Sequence, residues 1–183
     1  LDTSFFDANG ELITGTMLGM NPLLEHWAMA VHPPALFIGY AGLTLPFAYA
    51  LAAMILGDDS VKWVNRVNGV ASFAWLFLGI GIGLGSVWAY VVLGWGGYWG
   101  WDPVENASLL SWLACVALMH SFTLYRMHGT FKRWSVVCAC FAFMFVIVGT
   151  FISRSGIVQS VHAFAGDSVS LVLFVALIVV ALV

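Results

Sequence analysis

The sequence predicts an all-α fold, a polytopic bundle of transmembrane helices. Hydrophobic residues make up 62% of its 183 residues and charged residues only 8%, against roughly 45–50% and about 25% in soluble domains. So few charges cannot build a surface that faces water. Four apolar runs reach the length of about 20 residues that crosses a membrane, and a fifth run meets the end of the sequence. We therefore expect four complete spans and a truncated fifth, in a fragment of a longer protein.

Short polar connections separate the predicted spans. The spans run, in order, over 35–56, 70–93, 107–124, 134–152 and from 169 onward. Residues 1–34 are then an external N-terminal segment. Because no linker or fixed-period repeat divides the rest, we expect residues 35–183 to form one transmembrane domain.

The basic residues predict how the spans are oriented. All but Arg154 of the six lysines and arginines lie in the connections after the first and third spans. An excess of positive charge marks the cytoplasmic side. The other connections, including a tryptophan-rich loop at 94–106, are therefore expected on the outer side of the membrane. The five clustered basic residues are Lys62, Arg66, Arg126, Lys132 and Arg133.

That loop is the most distinctive part of the sequence. It reads Trp-Gly-Gly-Tyr-Trp-Gly-Trp-Asp-Pro-Val-Glu-Asn from Trp95 to Asn106. Trp95, Trp99 and Trp101 offer flat apolar surface, and the glycines between them let the backbone approach a ligand closely. The pattern favours a large flat ligand, such as a porphyrin, at the membrane edge.

The end of the loop predicts where the third helix begins. Asp102 suits the N-cap, Pro103 the first helical position and Glu105 the third, as in a capping box. His32 stands before two prolines, and a residue before proline is disfavoured in the helical region. We therefore place His32 just outside the first helix, at its outer mouth.

Two histidines, His32 and His162, belong to the predicted outer side. Imidazole is a good iron ligand, so together they could occupy both axial positions of one haem. The competing interpretation is that each is an interfacial histidine bonded to a backbone carbonyl. The tryptophan loop favours the interpretation that the two histidines ligate haem.

His120 differs because it lies inside the third apolar run. It follows Asp102 by about 27 Å of helix, in the deeper half of the bilayer. An ionisable side chain at that depth indicates a function, so His120 is a candidate ligand of a second haem within the bundle. The alternative is a packed histidine that donates to a neighbouring helix. We expect His26 and His128 to be solvated or interfacial.

Several absences narrow the function. The sequence has no Cys-x-x-Cys-His motif, which excludes covalent haem attachment to this stretch. Cys115, Cys138 and Cys140 lie in predicted helices without a Cys-x-x-Cys pair, which argues against dithiol exchange and favours packing. A net charge of -3 gives no reason to expect nucleic acid.

A series of motifs follows in order from Asn21 to Asp167. They are Asn21-Pro-Leu-Leu, His32-Pro-Pro, the tryptophan loop through Ser108, Ala117-Leu-Met-His-Ser, Gly149-Thr-Phe-Ile-Ser-Arg-Ser-Gly and Ser160-Val-His-Ala-Phe-Ala. Together they resemble the cytochrome c assembly proteins, and most of all the CcmF/NrfE type of cytochrome c haem lyase.

The resemblance implies roles for the loop. Trp95, Trp99, Trp101 and Asp102 would form the family's WWD haem-handling motif, which promotes the reaction. That reaction joins reduced haem through its vinyl groups to the two cysteine thiols of an apocytochrome's Cys-x-x-Cys-His motif, forming thioethers.

The resemblance also implies haem ligands. His32 and His162 would ligate substrate haem brought by a haem chaperone of the CcmE type. His120 would be one of two transmembrane ligands of a resident haem b, the second lying beyond Val183. Apocytochrome c, CcmH/CcmI-type maturation subunits, membrane lipid and quinol would be the other partners.

Arg154 is one further candidate site residue, and the sequence is also compatible with functions other than that of a lyase. Arg154 is the only basic residue predicted on the outer side, so we expect it to pair with a haem propionate or to anchor the chain at the interface. The alternatives to a lyase are a haem exporter, a chaperone-loading protein of the same family, and a b-type electron carrier.

Overall fold

The computed structural model describes residues 24–94, 96–162 and 169–182. Every regular element in those ranges is helical, which confirms the all-α prediction. The helices are α1 (Trp27–Leu56), α2 (Lys62–Trp88), α3 (Pro103–His128), α4 (Lys132–Ser155) and α5 (Val169–Leu182). A π-helical turn, Ala89–Leu93, continues α2. By length and composition α1, α2 with this turn, α3 and α4 could each cross a membrane.

Small residues let α1 and α2 pack closely. A Cβ atom added to Gly39 of α1 would lie 2.8 Å from the backbone nitrogen of Leu78 in α2. One added to Gly81 of α2 would lie 2.8 Å from the backbone nitrogen of Leu36 in α1. Because lipid provides no hydrophobic force between helices, membrane helices gain their contact energy from close backbone approach of this kind. The pair is the most extensive helix contact in the bundle.

The other helices complete the bundle around that pair. The second helix pair is α3 with α4; α1 also contacts α4, and α2 contacts α3, while α5 packs against α4. Core side chains include Leu43, Leu78 and Leu118, each at most 1% exposed. Trp63 meets Phe122 edge to face, with ring centroids 5.5 Å apart.

Side-chain contacts tie the α1–α2 connection to the α3–α4 connection. The Tyr125 hydroxyl donates to the backbone carbonyl of Asp59 at 2.7 Å. The ammonium group of Lys132 lies 3.7 Å from the Asp59 carboxylate. Both connections therefore share one end of the bundle, as the predicted alternation of spans requires. The loops after α2 and after α4 meet at the other end.

The start of α1 corrects the prediction. The helix begins at Trp27, well before the predicted start, and the His26 Nδ1 atom accepts from the Ala28 N–H at 3.2 Å to cap it. His32 therefore lies inside the helix, and its predicted position before the helix was wrong. The two prolines after it remove backbone donors, but membrane helices tolerate such gaps where neighbouring groups satisfy the freed carbonyls.

The other helices extend beyond their apolar runs into polar sequence. Helix α2 already includes Lys62, and α3 ends at His128, which had been predicted in a loop. Arg154, predicted in the loop after the fourth span, lies in the last turn of α4. Hydropathy detects only the part of a helix that lies in hydrocarbon, whereas helices continue into the headgroup layer.

Candidate functional site

Asp102 fixes the junction between the tryptophan loop and α3. Its Oδ2 atom accepts from the Val104 N–H at 2.9 Å, and the Glu105 carboxylate accepts from the Asp102 N–H at 3.2 Å. This pair is the predicted capping box, which is confirmed. Glu105 also accepts from the Gly100 N–H at 3.0 Å. The cap thus sets the path of the loop residues that precede the helix.

The same carboxylate binds the loop that follows α4. The Ser160 hydroxyl donates to Oδ2 at 2.8 Å, and the Val161 N–H donates to Oδ1 at 3.3 Å. The His162 Nδ1 atom lies 3.1 Å from Oδ2. Since a carboxylate can only accept, Nδ1 carries the hydrogen, and in the neutral ring Nε2 holds the free lone pair. One side chain joins segments 58 to 60 residues apart.

These contacts keep Asp102 charged. Burial raises the pKa of its carboxyl group, but the hydrogen bonds from Ser160 and Val104 and the neighbouring His162 outweigh burial, so the pKa lies below its usual range. Asp102 is therefore ionised at neutral pH. A charged acceptor strengthens the hydrogen bond from the His162 ring.

His32 is held by the backbone of α2. Its Nδ1 atom lies 2.6 Å from the Gly81 carbonyl oxygen, which can only accept, so Nδ1 again carries the hydrogen. Gly85 leaves room for the ring, because a Cβ atom there would lie 2.6 Å from His32 Cε1. Trp88, whose ring meets that of His162, follows Gly85 by three residues on α2, so both histidines pack against the same end of that helix. The structure thus brings together the two histidines that the sequence singled out as external ligands.

Trp99 and Trp101 lie in the part of the loop that leads into Asp102. Trp101 is 75% exposed and has a left-handed backbone with φ 56°. Trp99 is half-buried, and its indole N–H donates to the Asn106 side chain at 3.4 Å. The Asn106 amide in turn donates to the Trp101 carbonyl at 3.2 Å. The first turns of α3 therefore brace the loop, while Trp95 lies outside the described residues.

Two further aromatic residues at this end, Trp88 and Tyr90, were not singled out from the sequence. Trp88 is 6% exposed, and its ring meets that of His162 at a centroid distance of 6.5 Å and an angle of 64°. Tyr90 in the π-helical turn stacks on Tyr98 of the loop at 4.4 Å. The density of aromatic residues on either side of the loop was the only sequence signal for these contacts.

His120 lies apart from these residues, on the outward surface of α3. Its exposed side chain lines an open groove of about 200 Å³ together with Trp75, Val116, Met119 and Thr123. Small-molecule sites commonly enclose about 300–1,000 Å³. The described residues thus supply one imidazole beside a mostly apolar wall, in an open groove smaller than this range.

Arg154 belongs to the end of the bundle where the two loops meet. It is half-buried in the last turn of α4, where a cation favours the negative end of the helix dipole. Helix α4 leads directly into the loop that carries Ser160 and His162.

Comparison with known proteins gives independent support for the family. The family model described as Cytochrome C assembly protein matches residues 11–159. The chain is 50% identical over 148 residues to the cytochrome c-type biogenesis protein CcmF of Pseudomonas aeruginosa, a match that covers 81% of this chain and 22% of that protein. It is 46% identical over 149 residues to NrfE of Haemophilus influenzae, with 81% and 24% covered.

A solved structure is also similar. The cytochrome c haem lyase CcmF superposes with a TM-score of 0.66 at 45% identity, over 72% of this chain and 22% of that one. The chain therefore spans less than a quarter of the length of each of these relatives. From the family match and these identities, the chain belongs to the cytochrome c assembly protein family.

Proposed function

We propose that this chain is the part of a cytochrome c haem lyase that receives haem. The observation that supports this most strongly is the contact of His162 with Asp102, because it brings a distant histidine to the tryptophan loop and beside His32. Haem iron takes two axial nitrogen ligands, and the porphyrin ring needs flat apolar surface. Relatives of the chain carry the names cytochrome c-type biogenesis protein and cytochrome c haem lyase.

The proposed reaction is addition of a cysteine thiol to each of two haem vinyl groups. The S–H bond breaks, a C–S bond forms at one vinyl carbon, and the hydrogen goes to the other carbon, so atoms and electrons balance. The chain contributes mainly positioning, which can account for a large part of such a barrier. His32 and His162 hold the iron, while Trp99 and Trp101 carry the ring and leave an edge open to the apocytochrome.

The charge pattern supports a particular orientation of the site in the membrane. The end of the bundle that carries Asp102 faces the periplasm, because five of the six lysines and arginines belong to the connections and helix ends on the other side. A haem chaperone of the CcmE type delivers the haem there, and CcmH/CcmI-type subunits present the apocytochrome. Arg154 is placed to pair with a propionate.

His120 is the residue that would hold a resident haem b. The imidazole, the apolar groove and the open outer side of α3 suit one face of that group. When bound, haem b would supply electrons that keep the delivered iron ferrous, with quinol as their source. Trp75 forms the wall of the groove next to His120.

The test is to change single histidines in the full-length protein and to measure haem by absorption spectroscopy. We expect His32→Ala and His162→Ala to lose haem captured at the outer site and to stop cytochrome c maturation. His120→Ala should lose the resident haem b signal and keep outer capture. His128→Ala is the matched control, since it is exposed at the far end of α3. Intact capture and maturation in both outer variants would overturn the proposal.

A further inference from the structure

We infer that Asp102 is a positioning residue, which holds the His162 ring with Nε2 presented to iron and links that ligand to the tryptophan loop. The inference rests on the proposed function, since it takes His162 as a haem ligand. It assigns to the Asp102 carboxylate a task beyond capping α3.

The Asp102 carboxylate determines which nitrogen of the His162 ring carries the hydrogen. The carboxylate at 3.1 Å fixes it on Nδ1, so Nε2 keeps its lone pair for iron. Hydrogen-bonded carboxylates behind a ligating histidine orient the ring and raise its basicity. The corresponding partner of His32 Nδ1 is a carbonyl rather than a carboxylate, the Gly81 oxygen at 2.6 Å. The two axial ligands therefore share a tautomer but differ in strength, and His162 is the stronger donor.

The geometry also explains why a carboxylate is needed. Oδ2 receives three donors, from Val104, Ser160 and His162, while Oδ1 receives the Val161 N–H. Asparagine caps a helix about as well as aspartate, and an amide oxygen at the Oδ2 position would keep the Val104 cap. That oxygen is neutral, so it is a weaker acceptor for Ser160 and His162, and the amide nitrogen would face the Val161 N–H, donor against donor. Asp102→Asn therefore weakens the hold on the His162 loop while it preserves the start of α3.

The same carboxylate explains how the two loops act together. The Asp102 backbone N–H is held by Glu105, and the residue directly before Asp102 is the exposed Trp101. A shift of Asp102 would therefore move the aromatic surface and the iron ligand at once. Ser160 completes the link, because its hydroxyl donates to Asp102 and accepts from the backbone N–H of His162 at 3.0 Å.

The experiment is a double-mutant cycle in the full-length protein, titrated with haemin. We expect Asp102→Asn to weaken outer-site binding by about 10- to 100-fold, the usual effect of losing such a partner. In the His162→Ala background the same change should cause no further loss. Ser160→Ala should weaken binding in the same direction by a smaller factor, with Ser155→Ala, at the last residue of α4, as the control.

A spectroscopic readout separates positioning from capping. Loss of the His162 ligand in Asp102→Asn should convert low-spin haem partly to high-spin haem, and added imidazole should restore the low-spin form. An equal loss of affinity with and without His162, or unchanged binding and spin state in both Asp102→Asn and Ser160→Ala, would overturn the inference. Unchanged binding in His162→Ala would instead overturn the proposed function on which it rests.

Discussion

Gly85 is the position where the smallest change should have a large effect on haem capture. Substitution by alanine adds one methyl group to α2, directly against the His32 ring. That atom would lie 2.6 Å from Cε1, 2.9 Å from Nδ1 and 3.2 Å from Nε2 of His32. Carbon atoms in contact prefer separations of about 3.5–4.0 Å. The ring must therefore move by about 1 Å, or α1 and α2 must separate locally.

A displacement of that size breaks the contact that orients His32. The Nδ1 atom now lies 2.6 Å from the Gly81 carbonyl oxygen, and a 1 Å shift would carry it to about 3.6 Å, beyond a hydrogen bond. Loss of an orienting partner typically weakens metal binding by about 10- to 100-fold. We expect Gly85→Ala to reduce outer-site haem affinity by that factor, with little change in resident haem b at His120.

The assay is haemin titration of the full-length protein in detergent, with thermal unfolding measured in parallel. Gly83→Ala is the matched control, because the same methyl group on the same helix would meet nothing within 4 Å. It should leave affinity unchanged and raise helix stability by up to about 1 kcal/mol. Equal haem affinity in Gly85→Ala and wild type would refute the reasoning, as would an equal loss in Gly83→Ala.

Three further predictions concern the bundle and the loop. Gly39→Ala should lower the thermal unfolding temperature through overpacking of about 1–3 kcal/mol, since its Cβ would lie 2.8 Å from the Leu78 backbone nitrogen; an unchanged unfolding temperature would contradict this helix crossing. Trp101→Gly should relieve about 1 kcal/mol of left-handed backbone strain, which thermal unfolding would measure. The same change should weaken haem capture by roughly 2- to 10-fold in a haemin titration, because an exposed aromatic ring is lost. Tighter capture would count against a role for that ring. Asp59→Asn should change stability by less than about 1 kcal/mol, because its ion pair with Lys132 is exposed; a larger drop in unfolding temperature would show that the pair matters more than its exposure suggests.

The sequence predicted those structural features that depend on residues close together along the chain. The apolar runs gave the number and order of the membrane-spanning helices, and the Asp-Pro-Val-Glu pattern gave the capping box of α3, because each depends on neighbours along the chain. The start of α1 was misplaced since the prolines after His32 suggested a helix boundary. Their effect on the backbone is offset in the bundle by the packing of α1 against α2, which a single segment does not reveal.

The candidate site was predicted in part for the same reason. The sequence singled out His32, His162 and Asp102 as separate features, but the contact between Asp102 and His162 joins positions 60 residues apart. Such a contact depends on the fold and leaves no periodic signal. The capping pattern predicts only the contacts of Asp102 with α3, since it contains no information about a loop so distant in sequence.

The π-helical turn at the end of α2 has a consequence for how the loop can change. A wide turn holds one residue more than the α-helical path over the same rise, and each residue of an α-helix corresponds to about 100° of rotation. Trp88, packed against His162, precedes the turn, while Tyr90 within it stacks on Tyr98 of the loop. The number of residues in this turn, rather than their identity, therefore sets the direction in which the loop leaves the helix. Substitutions between Ala89 and Leu93 should be tolerated far better than a single deletion, which would turn the aromatic surface away from the histidines.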